Sequence, residues 1–302
     1  MILLIDFDLN NNTSTRLDDG FATAAGGGGL PLAAREALAF LELSADAPSL
    51  EALTRIVDAY VHRVPWESAS RIARRAACDE PEACVQWPQS FWRGAITQGT
   101  GGTCFESNYA MFWLLRALGY QGYLTVNNMG ESVGCHTACV IELASARYLV
   151  DVGIPLHVPV PLDATQATQA EGPHHAYTIT PEAANRFTVT RDRHPRPYIF
   201  TLIDEPVPDA DYRAATTADY GPDGLFLDRM IITRIVDGRV WRFGSDSQPR
   251  QIEAFSKEGH KTYYLLGDDD DVTAKRVARH FGMDADITGA ALAALATHSE
   301  IS

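Results

Sequence analysis

Basic charge is scarce in this chain: 25 Lys and Arg stand against 39 Asp and Glu, for a net charge of −14. Phosphate contacts dominate nucleic-acid affinity, so a chain this acidic is a poor nucleic-acid binder. An anionic substrate would need a local basic patch working against the overall field. Cysteine is limited to five, an odd number without zinc-finger spacing, which points to free thiols in a reducing compartment. No apolar run approaches the length of a membrane span. Residues 1–7 are apolar, but the stretch is short, lacks a basic n-region and runs into Asp6 and Asp8, which excludes a signal peptide. A cytoplasmic location is the default expectation. No internal repeat is evident. What is present is the composition of a globular enzyme, 46% hydrophobic and 21% charged over 302 residues. That length suits one large domain or two or three small ones packed together.

Residues 1–31 read as a peripheral extension, with Gly26–Gly29 and Pro31 as a flexible linker. From Leu32 the pattern is helical. Ser49 is a natural N-cap, with Glu51 in the first turn. Leu50, Leu53, Val57, Tyr60 and Val61 then recur at helical spacing until Pro65. A polar helix is expected over Ser68–Ala77, and residues 79–103, rich in Pro, Gly and Trp, read as loop with short turns. The strongest helix signal runs from Cys104 to Leu118, where Phe105, Tyr109, Phe112, Trp113 and Leu115 form a wide apolar face and Gly119 suits the C′ position. Strands are expected at 123–126, 137–143 and 147–152, then a polar loop over 163–176. Further strands are expected at 177–179, 187–190, 198–203, 230–236 and 239–243, with Asp237-Gly238 as a hairpin turn. Residues 271–282 look helical. Helices first, then strands, then a mixed tail make an α+β arrangement.

Cys104 stands at the start of its helix, His136 follows 32 positions later and Asp151 another 15 after that. A cysteine nucleophile needs a lowered thiol pKa, which a helix N-terminus and a neighbouring imidazolium both favour. Gly101 and Gly102 let the backbone approach a reacting carbonyl, and the Cys104 N–H is a candidate oxyanion donor. If residues 143 and 144 form a two-residue turn, 136 pairs with 151, and directly opposed residues point to one face. Asp151 could then hold one nitrogen of His136 and leave the other for the thiol.

The other cysteines read differently. Cys78, Cys84, Cys135 and Cys139 are expected to behave as small hydrophobes. Cys139 lies an odd number of strand residues from His136 and should face away from it, which also disfavours a zinc site from Cys135, His136 and Cys139. His62, His157, His174 and His175 read as surface or loop residues.

At VPWES (64–68), GGTCFESN (101–108), HTACVIEL (136–143) and YLVDVG (148–153), the chain resembles the arylamine N-acetyltransferase family, which includes related amide synthases. PHHAYTI, residues 224–234 and the terminal FGMDADI fit more loosely, and the resemblance covers roughly residues 35–287. It implies a helical bundle with the cysteine (32–119), an antiparallel β-barrel with His and Asp (120–220) and a C-terminal α/β lid (221–302). It also implies ping-pong chemistry: Cys104 would take the acyl group of an acyl-CoA, acetyl-CoA by resemblance, and pass it to an amine, with His136 activating the thiol and Asp151 orienting His136. No metal is implied. The chain departs from the family pattern in three places. Thr100 stands where an Arg usually precedes the two glycines, Ile154-Pro155 replaces Phe-Gly, and the PFEN-like motif reads Pro65-Trp66-Glu67-Ser68. Trp66, Phe105 and Ile154 are candidate pocket walls.

Four functions compete on this sequence. The first is CoA-dependent N-acetylation of an aromatic amine or hydrazine. The second is amide synthesis from a polyketide-type acyl chain on an acyl carrier protein, which the divergent motifs favour. A CoA-binding patch would separate the two, and Arg71, Arg74 and Arg75 are candidates for it. The third is transglutaminase-like or protease-like chemistry: transglutaminases share the order Cys, His, Asp, whereas papain-like proteases place the His far further downstream and use Asn, which fits badly. The fourth is a non-catalytic binding protein.

Overall fold

The computed structural model describes residues 29–194, 196–222, 224–256 and 261–299. The expected extension therefore lies almost wholly outside the described residues. The N-terminal part is helical: α1 (Leu32–Leu41), α2 (Leu50–Arg63), the short strand β1 (Trp66–Glu67), α3 (Ala69–Ala77), α4 (Pro81–Cys84), α5 (Pro88–Gln98) and α6 (Cys104–Ala117). Ser49 caps α2 as expected, its side chain accepting from Ala52 N at 3.1 Å. The expected loop over 79–103 instead holds two helices. Pro81 and Pro88 sit in their first turns, where proline's fixed φ and missing N–H favour a helix rather than break it. Apolar faces from α1, α2, α5 and α6 meet in one core that includes Leu38, Leu53, Val57, Trp92, Phe112 and Leu114.

Eight strands follow: β2 (Gln121–Met129), β3 (Ser132–Leu143), β4 (Ala146–Val150), β5 (Val160–Leu162), β6 (Thr168–Glu171), β7 (Ala176–Ala183), β8 (Arg186–Arg191) and β9 (Tyr198–Ile203). Their order is β5-β4-β3-β2-β9-β8-β7-β6, antiparallel throughout. The edge strands β5 and β6 come back to lie beside each other, so the sheet is a nearly closed barrel. Ala138, Val140, Leu149, Tyr177, Phe187, Val189, Phe200 and Leu202 fill it. The polar stretch 163–176 contains β6, an edge strand whose exposed face needs no apolar alternation.

The C-terminal part comprises α7 (Asp209–Ala218), β10 (Ile231–Val236), β11 (Arg239–Gly244), β12 (Gln251–Phe255), β13 (Lys261–Leu265), α8 (Asp270–Phe281) and α9 (Ala285–Ser299). Asp237 and Gly238 turn β10 into β11 with φ of 49° and 69°, the paired positive values of a type I′ turn. The second sheet runs β1-β10-β11-β12-β13 and so takes its edge strand from residues 66–67. Ala69 and Ile72 of α3 share its core with Ile232, Phe243, Val277 and Phe281. The α+β class, the helical N-terminal part, the antiparallel barrel and the α/β C-terminal part agree with expectation.

Candidate active site

Cys104 is the first residue of α6 and is buried, 6% exposed. Its surroundings come from both sides of the β3–β4 hairpin. From β3, the Thr137 hydroxyl donates to Cys104 O at 2.9 Å, and the Cys104 thiol lies 3.8 Å from Cys135 O. From the segment after β4, Gly153 approaches so closely that a Cβ there would lie 2.5 Å from both Cα and Cβ of Cys104. No side chain fits between the two backbones. On the other side, a Cβ on Gly101 would strike the Pro65 carbonyl oxygen at 1.8 Å. The helix start is thus wedged between the Pro65 turn and the Asp151–Gly153 turn, and glycine at 101 and 153 makes the wedge possible.

His136 and Asp151 are both buried, and His136 Nε2 lies 2.7 Å from Asp151 Oδ2. They meet by a different register from the one expected. Leu143 stays in β3 opposite Ala146, its side chain packed on the helical core, and the turn falls on Ala144 and Ser145, with Ala144 at φ 53°. Moving the turn by one residue moves every opposite partner by two. Cys139 therefore pairs with Val150, and Asp151 lies diagonal to His136 rather than directly across. A shift of two preserves the face, so the carboxylate still meets the ring. Cys139 does face away: it packs in the helical core, whereas Ala138 and Val140 pack in the barrel core, and the His136 ring lies 4.6 Å from that of Phe200.

Asp151 is held by more than His136. Its Oδ1 accepts from Gly153 N at 2.7 Å, Ile154 N at 3.1 Å and Asn108 Nδ2 at 3.0 Å. Asn108 also donates to Thr137 O at 2.7 Å and accepts from Val152 N at 2.9 Å. Thus Asn108 ties α6, β3 and the segment after β4 together. The sequence carried a signal for it: Asn108 is four residues after Cys104, one helical turn on the same face.

Burial pushes the Cys104 thiol up from its ordinary pKa, and the carboxylates of Asp219 and Asp151 add to that against Arg71. The lowering expected from the helix terminus and the imidazole is therefore opposed by burial, the larger influence. Arg71 is fully buried, bonds Asp219 at 2.9 Å and lies 4.1 Å from the Tyr220 ring centre. Burial raises Asp219 to about 6 while Arg71 opposes it. Arg74 pairs with buried Glu106, in the first turn of α6, and Glu106 also accepts from Gln86 N and Tyr220 Oη. Arg75 Nε donates to Tyr220 O. The three arginines considered for a CoA patch thus spend donors inside the protein.

Near Thr100, the buried carboxylate of Glu67 is held by Ser70 N at 2.8 Å, the Ser70 hydroxyl and Gly101 N at 3.1 Å. The Trp66 ring stands edge-on to Phe226 at 5.0 Å. Phe105 is buried against Tyr212, and Ile154 packs on the barrel core. Of the three expected wall residues, Phe105 thus lies in the helical core and Ile154 against the barrel core, so these two do not share one wall. His157, expected as a surface or loop residue, lies in a loop but is buried there, 6% exposed. Among the described residues, no group of three His, Cys, Asp or Glu side chains is placed to hold a metal ion, and no helix is long and apolar enough to cross a membrane.

A family model described as N-acetyltransferase matches residues 49–280. The chain belongs to that family. It is an acyltransferase. Solved structures with the same fold include arylamine N-acetyltransferases from Mycobacterium abscessus and Salmonella typhimurium. The first is 21% identical with a TM-score of 0.68, over 87% of this chain and 94% of that one. The second is 16% identical with a TM-score of 0.73, over 88% and 99%. The Mycobacterium marinum enzyme, solved in complex with CoA, is 17% identical with a TM-score of 0.69, over 86% and 97%. No curated sequence matches the chain.

Proposed function

We propose that the protein transfers an acyl group in two steps through Cys104. In the first, the Cys104 sulfur attacks the thioester carbon of an acyl-CoA while its proton passes to His136 Nδ1, the ring nitrogen that Asp151 does not engage. The Cys104 N–H, at the first helical position and without an intrahelical partner, faces the oxyanion. CoA leaves as a thiol by taking the proton from His136. In the second step an amine attacks the Cys104 thioester, gives its proton to His136 and leaves as an amide, and the proton returns to the cysteine sulfur. Asp151 keeps the imidazole in the tautomer with a proton on Nε2.

The 2.7 Å His136–Asp151 contact, buried beside the start of α6, carries this reading. It also explains how a thiol raised by burial still reacts. The proton is transferred within the site as the sulfur attacks, so no isolated thiolate has to persist there. The family's description supports acetyl as the acyl group, the CoA complex of the M. marinum arylamine N-acetyltransferase supports an acyl-CoA donor, and we take an aromatic amine or hydrazine as the acceptor. Initial rates at varied acyl-CoA and amine test the order of events. Parallel double-reciprocal lines, with CoA released stoichiometrically before amine is added, are expected. Intersecting lines with no CoA release until the amine arrives would reject the acyl-enzyme.

A further inference from the structure

The acyl-transfer site leaves a pair of neighbouring cysteines unused. Cys78 is the C-cap of α3 and Cys84 the last residue of α4, with residues 79–83 between them. Cys84 is fully buried, in a small core with Val85 and Tyr220, and Cys78 packs against that core from a half-exposed position. The Cys84 thiol lies 3.3 Å from Glu80 O and 3.7 Å from Cys78 O, and the Cys78 thiol lies 3.9 Å from Ala83 O. Both sulfurs therefore turn into the same short loop, each set against a backbone carbonyl of residues 78–83. Both thiols are free.

We propose that Cys78 and Cys84 form a thiol-modification site that glutathione disulfide, or a small disulfide of the same class, converts to an intrachain disulfide. The difference in exposure orders the steps. The Cys78 thiolate attacks one sulfur of the oxidant, forming a mixed disulfide and releasing one thiolate, which takes up the proton Cys78 lost. The Cys84 thiolate then attacks the Cys78 sulfur, the Cys78–Cys84 bond forms and the second small thiol leaves. One disulfide is reduced and two cysteines are oxidised, so electrons balance. Burial disfavours ionisation of Cys84, which suits a resolving thiol that reacts only once its neighbour is activated.

The pair sits on a strap connected to the start of α6. Arg74 Nε donates to Cys84 O at 2.7 Å, Arg75 Nη1 donates to Cys78 O at 2.8 Å, and Gln86 N donates to Glu106 Oε1 at 2.7 Å. Glu106 is two residues from Cys104. Closing the disulfide would thus fix the strap that clamps Arg74 and Glu106. The other half-exposed thiol, Cys135, lies 3.4 Å from Ser132 O, outside this loop.

The test uses the full chain and its Cys84→Ser variant, incubated with glutathione disulfide and mapped by mass spectrometry without reduction. A serine hydroxyl can still donate to Glu80 O, so the variant keeps the local contact, and circular dichroism checks its fold. In the parent, alkylatable thiols should fall by two, with a Cys78–Cys84 cross-link and no retained glutathione. The variant should stop at glutathione on Cys78. Dithiothreitol should reverse both. Stable glutathione on Cys78 in the parent, a cross-link from Cys104 to Cys135, or no reaction at Cys78 would each overturn the proposal.

Discussion

Replacing Asp151 with Asn isolates what the carboxylate does to the imidazole. Oδ1 receives three donors, from Gly153 N, Ile154 N and Asn108 Nδ2, whereas Oδ2 meets only His136 Nε2. An amide must therefore put its oxygen at the Oδ1 position, because an NH₂ there would face three N–H donors. Its NH₂ group then points at His136 Nε2, which has to present a lone pair. The ring proton moves to Nδ1, and Nδ1 can no longer take the thiol proton. General-base assistance is worth about 10²–10⁴-fold, and the same tautomer error in a Ser-His-Asp enzyme costs about 10⁴. Acylation should fall by about 10³–10⁴-fold on that basis. Stability should fall much less, because three hydrogen bonds survive; losing their ionic character costs about 1–3 kcal/mol. The assay is the single-turnover rate of acyl-enzyme formation by intact mass, with circular dichroism to confirm folding. A folded Asp151→Asn variant that acylates within about tenfold of the parent would refute the reasoning, since tautomer control would then be worth less than one decade.

His136→Gln should move the pH profile of Cys104 alkylation to higher pH than in the parent, because the imidazole that takes the thiol proton is lost; superimposable profiles from iodoacetamide kinetics would show that His136 does not assist Cys104. Gly153→Ala should impair acylation more than it destabilises, since its Cβ would meet Cys104 Cα and Cβ at 2.5 Å. The overpacking costs about 1–3 kcal/mol, and thermal melts alongside acylation rates separate the two effects. His157 is buried neutral, its pKa lowered to about 3 by burial and by His174. Below about pH 6.5 the unfolded chain binds a proton there that the folded chain does not. Its contribution is intact above pH 6.5 and lost as pH falls toward 3, by about 2 kcal/mol between pH 7 and pH 5. Urea midpoints at both pH values should show a smaller acid loss in His157→Gln; what remains includes His175, lowered to about 4. An equal loss in parent and variant would show that His157 is not buried neutral.

The sequence was most legible where local signals and burial agree. Ser49 and the 3.6-residue spacing after it mark α2, the aromatic face after Cys104 marks α6, and Asp237-Gly238 marks the β10–β11 turn. It was least legible where a residue's usual meaning is reversed by its position. Pro88 starts a helix rather than breaking one. Gly94 lies within α5, where a Cβ would meet Thr100 Oγ1 at 2.7 Å. In β6, one edge of the barrel, alternate residues are exposed and none is buried, so the strand carries no period-two apolar signal. Long-range pairing was harder still. Nothing local shows that Trp66 and Glu67 pair with Thr233 and Ile232, or that Tyr212 reaches back to donate to Phe105 O at 2.8 Å. The hairpin count placed His136 and Asp151 on one face with the wrong turn, because an error of one turn residue shifts the register by two.

The central claim is that Cys104 carries the acyl group. Mass spectrometry of the full chain incubated with acetyl-CoA and longer acyl-CoAs, without amine, tests it most directly. One acyl group on the Cys104 peptide, discharged by an aromatic amine and absent in Cys104→Ala, is the expected result. No adduct with any acyl donor, or an adduct that persists in Cys104→Ala, would contradict it.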